Sequence, residues 1–172
     1  MKSNEEIYSD QLQVAAFYSF TSLEEYKIDL LKTNLDSLAK EKGVKGTILI
    51  ASEGINGTIC GQKQAVDILL CQLKIFALSG TLDVKISWTK KQAFRRFKVR
   101  RKNEIVTMGV NGIDPTHNVG TYVDPRDWNR LLLDPETLVI DARNEYEVSI
   151  GSFKGALNPH TSTFREFPEW VE

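Results

Sequence analysis

A cluster of basic residues is the feature of this sequence that most directly predicts chemistry. Eight lysines and arginines fall within 13 residues that contain no acidic residue: Lys90, Lys91, Arg95, Arg96, Lys98, Arg100, Arg101 and Lys102. Phe94 and Phe97 are interleaved with them. Guanidinium groups bind phosphates and aromatic rings stack on unpaired bases, so this basic run, residues 90–102, predicts contact with nucleic acid. The alternative is a solvated edge strand whose charges discourage aggregation.

Residues that could bind a metal or act as nucleophiles are few. His117 and His160 are the only 2 histidines, and their positions match no spacing typical of an iron or zinc site. The sequence also contains no phosphate-binding glycine loop and no dinucleotide fingerprint. Cys60 and Cys71 lie in apolar stretches, so we expect both to be small buried side chains rather than a disulfide. The sequence therefore predicts no metal site and identifies no cofactor.

Composition indicates a globular protein with two domains. The chain has 172 residues, of which 41% are hydrophobic and 26% charged. Its apolar runs are shorter than the roughly 18 residues that span a membrane, and residues 1–13 do not resemble a secretory signal, so we predict a cytosolic protein. Residues 1–122 carry 17 basic and 13 acidic side chains, whereas residues 123–172 carry 5 and 10. This asymmetry predicts a domain boundary.

The pattern of the first domain, residues 1–110, begins with a strand and a helix. Val14–Phe20 is typical of a buried strand. Ser22 and Glu25 have the spacing of a capping box, and Gly43 is placed to end the helix that follows. The predicted buried face of this helix carries Leu23, Tyr26, Leu30, Leu31, Leu35 and Leu38.

The next segments predict a hairpin, a second helix and another strand. The hairpin joins Thr47–Ala51 to Thr58–Cys60, with the Asn56-Gly57 pair in its turn. A helix over Gln62–Leu78 is predicted to bury one face and to end at Gly80. That face carries Ala65, Ile68, Leu69, Leu73 and Phe76.

In the last strand of this unit, Val84, Ile86 and Trp88 alternate with polar residues, which predicts burial on one side. The resulting order is βαββαβ, the ferredoxin-like α+β arrangement of an antiparallel sheet with two helices on one face. A further extended segment is expected over Lys98–Lys102 and then Glu104–Met108. Acylphosphatase shares this order, but its phosphate loop needs glycines and an arginine where this chain has Ser19-Phe20-Thr21-Ser22. We therefore expect no acylphosphatase activity.

Residues 111–122 have little periodicity and are interpreted as a linker. A helix capped by Asp124, with Pro125 at its first position, is predicted next, and its buried side carries Trp128, Leu131 and Leu132. Leu138–Ile140 is wholly apolar, as in a parallel strand buried on both faces. It leads into the polar sequence Asp141-Ala142-Arg143.

The second segment resembles the first half of a rhodanese domain. The resemblance is carried by Asp141-Ala142-Arg143, Glu147, Gly151, Gly155-Ala156 and Asn158-Pro159. Together with residues 51–58, 94–102, 120–122, 153–160 and 164–168, these motifs resemble the tRNA uridine hydroxylases that contain a rhodanese domain. The resemblance implies a ferredoxin-like domain followed by an incomplete α/β rhodanese domain, residues 123–172.

In that family, oxygen-dependent 5-hydroxylation modifies the wobble uridine of tRNA, and the expected nucleophile is a cysteine of the rhodanese loop. That loop would follow Glu172, so the chain is expected to be a fragment without sulfur-transfer activity. The resemblance implies that molecular oxygen is a co-substrate, and it leaves the electron source unknown. The partner it implies is tRNA, and the predicted contacts are Arg95, Arg96, Lys98, Arg100, Arg101 and Lys102.

The remaining predictions concern two pairs of residues and two alternative functions. Glu53 and Asn56 either form the hairpin turn or contact the substrate. Asp141 and Arg143 are expected to organise the end of the rhodanese sheet through an ion pair or hydrogen bonds. One alternative function is a rhodanese-type sulfurtransferase whose first domain docks a protein acceptor. The other is a binding module in which residues 1–110 fold and bind their partner independently.

Overall fold

A computed structural model describes residues 10–76, 82–110 and 120–172. The chain forms two compact units, Met1–Val106 and Thr107–Glu172. No helix of the described residues is long and apolar enough to cross a membrane. The predicted limits 1–110, 111–122 and 123–172 remain predictions, and residues 111–119 of the linker lie outside the described ranges.

Within its described residues, the first unit contains five strands and two helices, and the first six of these elements follow the predicted βαββαβ order. In chain order they are β1 (Leu12–Phe20), α1 (Glu25–Lys42), β2 (Lys45–Ala51), β3 (Gly54–Gly61), α2 (Lys63–Phe76), β4 (Asp83–Thr89) and β5 (Phe97–Arg101). The strand order across the sheet is β4-β1-β3-β2-β5. The four strands of the βαββαβ unit pair antiparallel, as predicted, and β5 pairs parallel with β2, which makes the five-stranded sheet mixed. The reason is that residues 90–96 carry the chain from one edge of the sheet to the other.

Both helices pack on one face of the sheet and enclose the core with it. Strand residues that point to this face include Ala15, Phe17, Ile48, Ile50, Ile55, Ile59 and Val99, all buried. Helix α1 contributes Ile28, Leu31, Leu35 and Ala39. Helix α2 contributes Ala65, Val66, Leu69, Leu70 and Leu73. Burial of this much apolar surface is the main force that holds the unit together.

Helix α1 starts later than predicted and buries only part of the predicted face, including Leu31 and Leu35. Glu24 is its N-cap, and no side chain caps it, so the predicted capping box of Ser22 and Glu25 does not form. The Leu23 amide donates instead to the Ser52 carbonyl at 2.8 Å, which holds this segment outside the helix. Tyr26 and Leu30, predicted to be buried, are exposed. The prediction for Gly43 is confirmed, because it ends the helix with a left-handed φ of 69°.

Helix α2 confirms part of its predicted face. Ile68 is exposed, contrary to prediction, and the predicted end at Leu78 and Gly80 lies outside the described residues. Cys60 in β3 is buried as predicted, but Cys71 is exposed because it lies on the side of α2 away from the sheet. Ile86 in β4 is 46% exposed, since an edge strand is covered from only one side, so the predicted burial was wrong at this residue.

The hairpin turns earlier than predicted. Strands β2 and β3 are joined by Ser52 and Glu53 alone, and Asn56-Gly57 lies inside β3, so the prediction that this pair forms the turn was wrong. Gly54 follows the turn with a φ of +151°, and a Cβ there would lie 2.1 Å from the Ser19 carbonyl oxygen. Only glycine fits this approach to β1, and it moves the reversal to residues 52 and 53.

The elements of the second unit are short in the part that the structure describes. They are α3 (Trp128–Leu133), α4 (Glu145–Val148), a 3-10 helix (Phe164–Glu166) and α5 (Phe167–Val171). Helix α3 begins at Trp128 rather than after Asp124 as predicted. The carboxylate of Asp124 accepts instead from the backbone and side chain of Arg126 and forms a turn.

The predicted parallel strand of this unit is a single bridge between Ile140 and Leu157. Leu138 is 67% and Ile140 38% exposed, so the predicted burial on both faces was wrong. Within the described residues, the bridge has a partner on one side only. A strand needs neighbours on both sides and a covering helix to be buried in this way.

Candidate nucleic-acid interface

Strand β5 divides the basic run between two faces of the sheet. Lys98 and Arg100 pair with Thr47 and Leu49, whereas Val99 pairs with the buried Ile48. Successive side chains of a strand point to opposite faces, so Lys98 and Arg100 lie on the face away from the helices. We call this the open face. The alternation of β5 therefore brings two of the predicted contacts together there.

Arg101 points to the opposite face. It pairs with Ile50 in the register, and its guanidinium forms an ion pair with Glu25 at the start of α1. Both side chains are largely exposed, so the pair contributes at most about 1 kcal/mol to stability. Arg101 is thus engaged on the helix side, unlike its neighbours Lys98 and Arg100.

Phe97 also lies on the helix side, where it packs against the hydrophobic core. The expectation that both phenylalanines of the basic run could stack on bases therefore fails for Phe97. The register explains this result, because Phe97 pairs with Gly46, two residues before the buried Ile48, on the face that packs against the helices. Of the two phenylalanines in the basic run, Phe94 is the one that lines the open face, where stacking would occur.

The first half of the basic run is anchored to the sheet along residues 90–96. The Gly46 amide donates to the Arg96 carbonyl at 3.1 Å. The Gln92 side chain donates to the Cys60 carbonyl and accepts from the Phe94 amide, each at 3.3 Å. These bonds hold Phe94 at the edge of a shallow depression on the open face, which is also lined by Thr47, Leu49, Asn56, Gly57 and Thr58.

Positive charge is concentrated beside this depression. Partial burial, together with the nearby guanidiniums of Arg96 and Arg100, holds the pKa of Lys98 below its usual value. Like charges placed this close repel each other, and a bound polyanion relieves the repulsion. Arg95 and Lys102 are exposed, and the Lys102 amide donates to the Ile50 carbonyl at 2.9 Å, just beyond β5.

Glu53 and Asn56 hold the chain that follows β5. The Ile105 amide donates to Oε1 of Glu53 at 2.6 Å, and Nδ2 of Asn56 donates to the Ile105 carbonyl at 3.1 Å. Ile105 is 2% exposed. Two side chains thus satisfy both backbone groups of one buried residue, and this positioning role was not predicted.

The loop between β1 and α1 is held to the turn between β2 and β3. Its Thr21 amide donates to the Glu53 carbonyl at 2.9 Å, and its Leu23 amide donates to the Ser52 carbonyl at 2.8 Å. Both amides are used within the fold and do not point into an anion site.

In the second unit, Asp141 and Arg143 form an ion pair with two parallel hydrogen bonds. Nε and Nη2 of Arg143 donate to the Asp141 carboxylate at 2.9 and 2.6 Å, and Nη2 also donates to the Gly151 carbonyl at 2.7 Å. Ser152 donates to the same carboxylate at 2.7 Å. The Arg143 and Ser152 hydrogen bonds hold the pKa of Asp141 well below its usual range.

His160 has a left-handed backbone with a φ of 55°, which is uncommon outside glycine. Its Nδ1 lies 2.8 Å from Glu145, which also accepts from Asn158 at 3.0 Å. His117 lies outside the described ranges. Among the described residues, no group of three histidine, cysteine or acidic side chains could hold a metal ion.

The first unit matches a known protein family. Residues 12–105 match the protein family described as UPF0176 acylphosphatase like domain. The chain belongs to this family. The matched segment is the five-stranded first unit, from β1 to Ile105, so the UPF0176 domain includes β5 as well as the βαββαβ core.

Curated relatives match a longer part of the chain. A protein named tRNA uridine(34) hydroxylase from Prochlorococcus marinus (strain MIT 9303) is 56% identical over 95% of the chain and 53% of the relative. Proteins of the same name from strain NATL1A and from Synechococcus sp. (strain CC9902) are 49% and 53% identical, over 100% and 94% of the chain. The chain thus spans about half the length of the relatives it matches.

Among solved structures, an acylphosphatase from Coxiella burnetii aligns at 16% identity over 58% of the chain and all of that structure, with a TM-score of 0.39.

Proposed function

We propose that this chain takes part in the oxygen-dependent 5-hydroxylation of the wobble uridine of tRNA, and that its UPF0176 domain binds the tRNA. One observation carries the proposal: relatives named tRNA uridine(34) hydroxylase share 49% to 57% of its residues over nearly its whole length. This identity extends through both units. The proposal also places the protein in the cytoplasm, as its sequence predicts.

The proposed phosphate contacts are Arg95, Arg96, Lys98, Arg100 and Lys102. We leave out Arg101, although its sequence position suggests the same role, because its guanidinium is paired with Glu25 on the helix side. Glu53 and Asn56 are assigned to holding Ile105, not to binding substrate. Residues 123–172 are proposed to belong to a rhodanese domain, in which Asp141 and Arg143 order the end of a strand.

Deletion and complementation test the function. The gene for this chain is deleted in a strain that also lacks any redundant wobble-hydroxylation route, and 5-hydroxyuridine-derived nucleosides in digested tRNA are measured by mass spectrometry. We expect these nucleosides to disappear and to return when a curated relative is expressed at full length. Expression of the 172 residues alone, which span about half the length of these relatives, measures whether that half is sufficient for the modification.

Unchanged nucleosides after deletion contradict the proposal. A sulfurtransferase then becomes the better explanation, and sulfur transfer from thiosulfate to cyanide by the full-length protein is the measurement that supports it.

A further inference from the structure

All five strands of the UPF0176 domain contribute side chains to the open face, and the segment that contains Ile105 lies against it at Asn56. The side chains of this face form two rows across the sheet, because the pairing register aligns one residue of each strand. The first row is Lys85, Ala16, Thr58, Thr47 and Lys98. The second is Asp83, Tyr18, Asn56, Leu49 and Arg100. Each row crosses four gaps between strands, about 19 Å.

The middle of this face has a shape suited to flat ligands. Ala16, Thr47 and Thr58 carry small side chains, so the surface between the two sheet edges is low. Two rings, those of Tyr18 and Phe94, are half-buried on this face. Tyr18 makes an edge contact with Phe20 at 6.3 Å between ring centroids. Half-buried rings beside a low polar surface are what an unpaired base needs for stacking.

The edges of the face carry the complementary charge. Lys85 is exposed at the β4 edge, and Lys98 and Arg100 lie at the β5 edge. Asp83 places one carboxylate at the far end of the second row. The anchored segment 90–96 adds four more cations along one end of the sheet: Lys90, Lys91, Arg95 and Arg96. Cations around a low surface suit a polyanion whose bases lie flat and whose phosphates point outward.

We infer that the open face binds unpaired RNA nucleotides, with bases against Tyr18 and Phe94 and phosphates at Lys98 and Arg100. This inference rests on the proposed function and deepens it, because a wobble uridine lies in an unpaired anticodon loop. It differs from simple attraction of tRNA to the basic run in two respects. Recognition depends on single-stranded RNA, and it depends on residues of one face of the sheet.

The test measures binding of the 172-residue chain to two fluorescent RNAs of equal length, an anticodon stem-loop and a blunt duplex, by anisotropy over a range of salt concentrations. The first variant is Phe94→Leu, which keeps an apolar side chain and removes the ring. The second is the double variant Lys98→Gln/Arg100→Gln. Its matched control is Lys40→Gln/Arg101→Gln, which removes the same charge from the helix side of the domain. Circular dichroism verifies that each variant is folded.

We expect Phe94→Leu to weaken stem-loop binding about fivefold or more, which is the loss of one stacked base, and to leave duplex binding unchanged. Phe94→Tyr should restore it. Lys98→Gln/Arg100→Gln should weaken binding and reduce the salt slope by about two, whereas the control should keep both near those of the unchanged chain.

Two outcomes overturn the open-face site: the two double variants weaken binding equally, or the two RNAs bind equally and Phe94→Leu has no effect. Neither outcome contradicts tRNA binding by the domain. Absence of RNA binding by the unchanged chain overturns both the site and the proposed tRNA-binding role. The nucleoside measurement described above remains a separate test of hydroxylation.

Discussion

Among single residues, Glu53 and Asn56 use their side chains to hold the backbone of a distant segment in place. Both side chains bind the backbone of Ile105, and the Glu53 carbonyl also accepts from Thr21. The turn between β2 and β3 is thereby tied to the start of α1 and to the segment after β5. Removal of the Glu53 carboxylate would leave the buried Ile105 amide without its acceptor.

We therefore expect Glu53→Ala to lower the free energy of unfolding by about 1–3 kcal/mol, the cost of an unsatisfied buried donor. Glu53→Gln keeps an oxygen that can accept from Ile105, so it should retain most of the stability and the RNA affinity. Urea unfolding and stem-loop binding measure the two quantities. A Glu53→Gln variant that is fully stable but binds RNA poorly would show that the carboxylate contacts the substrate after all.

At the scale of elements, β5 decides which charges can act together. A strand sorts consecutive residues onto two faces, so Lys98 and Arg100 share the open face while Arg101 reaches Glu25 on α1.

In the second unit, side-chain hydrogen bonds close the loop from Asp141 to Ser152. The Asp141 carboxylate accepts from Arg143 and Ser152, and Arg143 also holds the Gly151 carbonyl.

This loop has a predictable pH dependence. The pKa of Asp141 is lowered by Arg143 first and by Ser152 second, from an ordinary value of 3.8. A lowered pKa in the folded state stabilises the loop above pH 3.8, and this stabilisation is lost as the pH falls through the folded-state pKa. We expect Arg143→Gln to raise the pKa of Asp141 toward its ordinary value and Ser152→Ala to raise it less. NMR titration of the carboxyl carbon measures both, and an unchanged pKa in Arg143→Gln contradicts the assignment.

At the scale of the whole molecule, the two units differ in how much core they contain. Every residue of the buried cluster lies between Ala15 and Val99, inside the first unit. Large apolar side chains of the second unit remain exposed, among them Leu133, Leu138 and Ile150. Apolar burial is the main source of stability, so the first unit should not depend on the second for its fold.

We expect residues 1–110, expressed alone, to unfold cooperatively in urea at the midpoint of the first unit in the full chain, and to bind the stem-loop RNA with the same affinity. Trp88 in β4 reports on this unit by fluorescence. A fragment that is unfolded, or folded with much weaker RNA binding, would show that residues 111–172 contribute to the stability or to the site.

Local pattern in the sequence was sufficient for the order of elements. Alternation in β4, helical spacing in α2 and Gly43 at the end of α1 are local signals, and they predict the βαββαβ order without any knowledge of packing. The basic run and the family resemblance were also evident from residue types alone. Alternation within β5 could have separated Lys98 and Arg100 from Arg101, and alternation in β4 already placed Lys85 on a polar face.

Local patterns do not determine which residues of these elements contact each other; the fold does. The Asn56-Gly57 pair is a strong turn signal, but the close approach of Gly54 to Ser19 puts the reversal at Ser52 and Glu53. The roles of Glu53 and Asn56 depend on Ile105, about 50 residues away in sequence. Likewise, β5 joins β2 because residues 90–96 cross the sheet. Local patterns specify elements since they depend on neighbouring residues, whereas sites depend on contacts between distant segments that packing alone brings together.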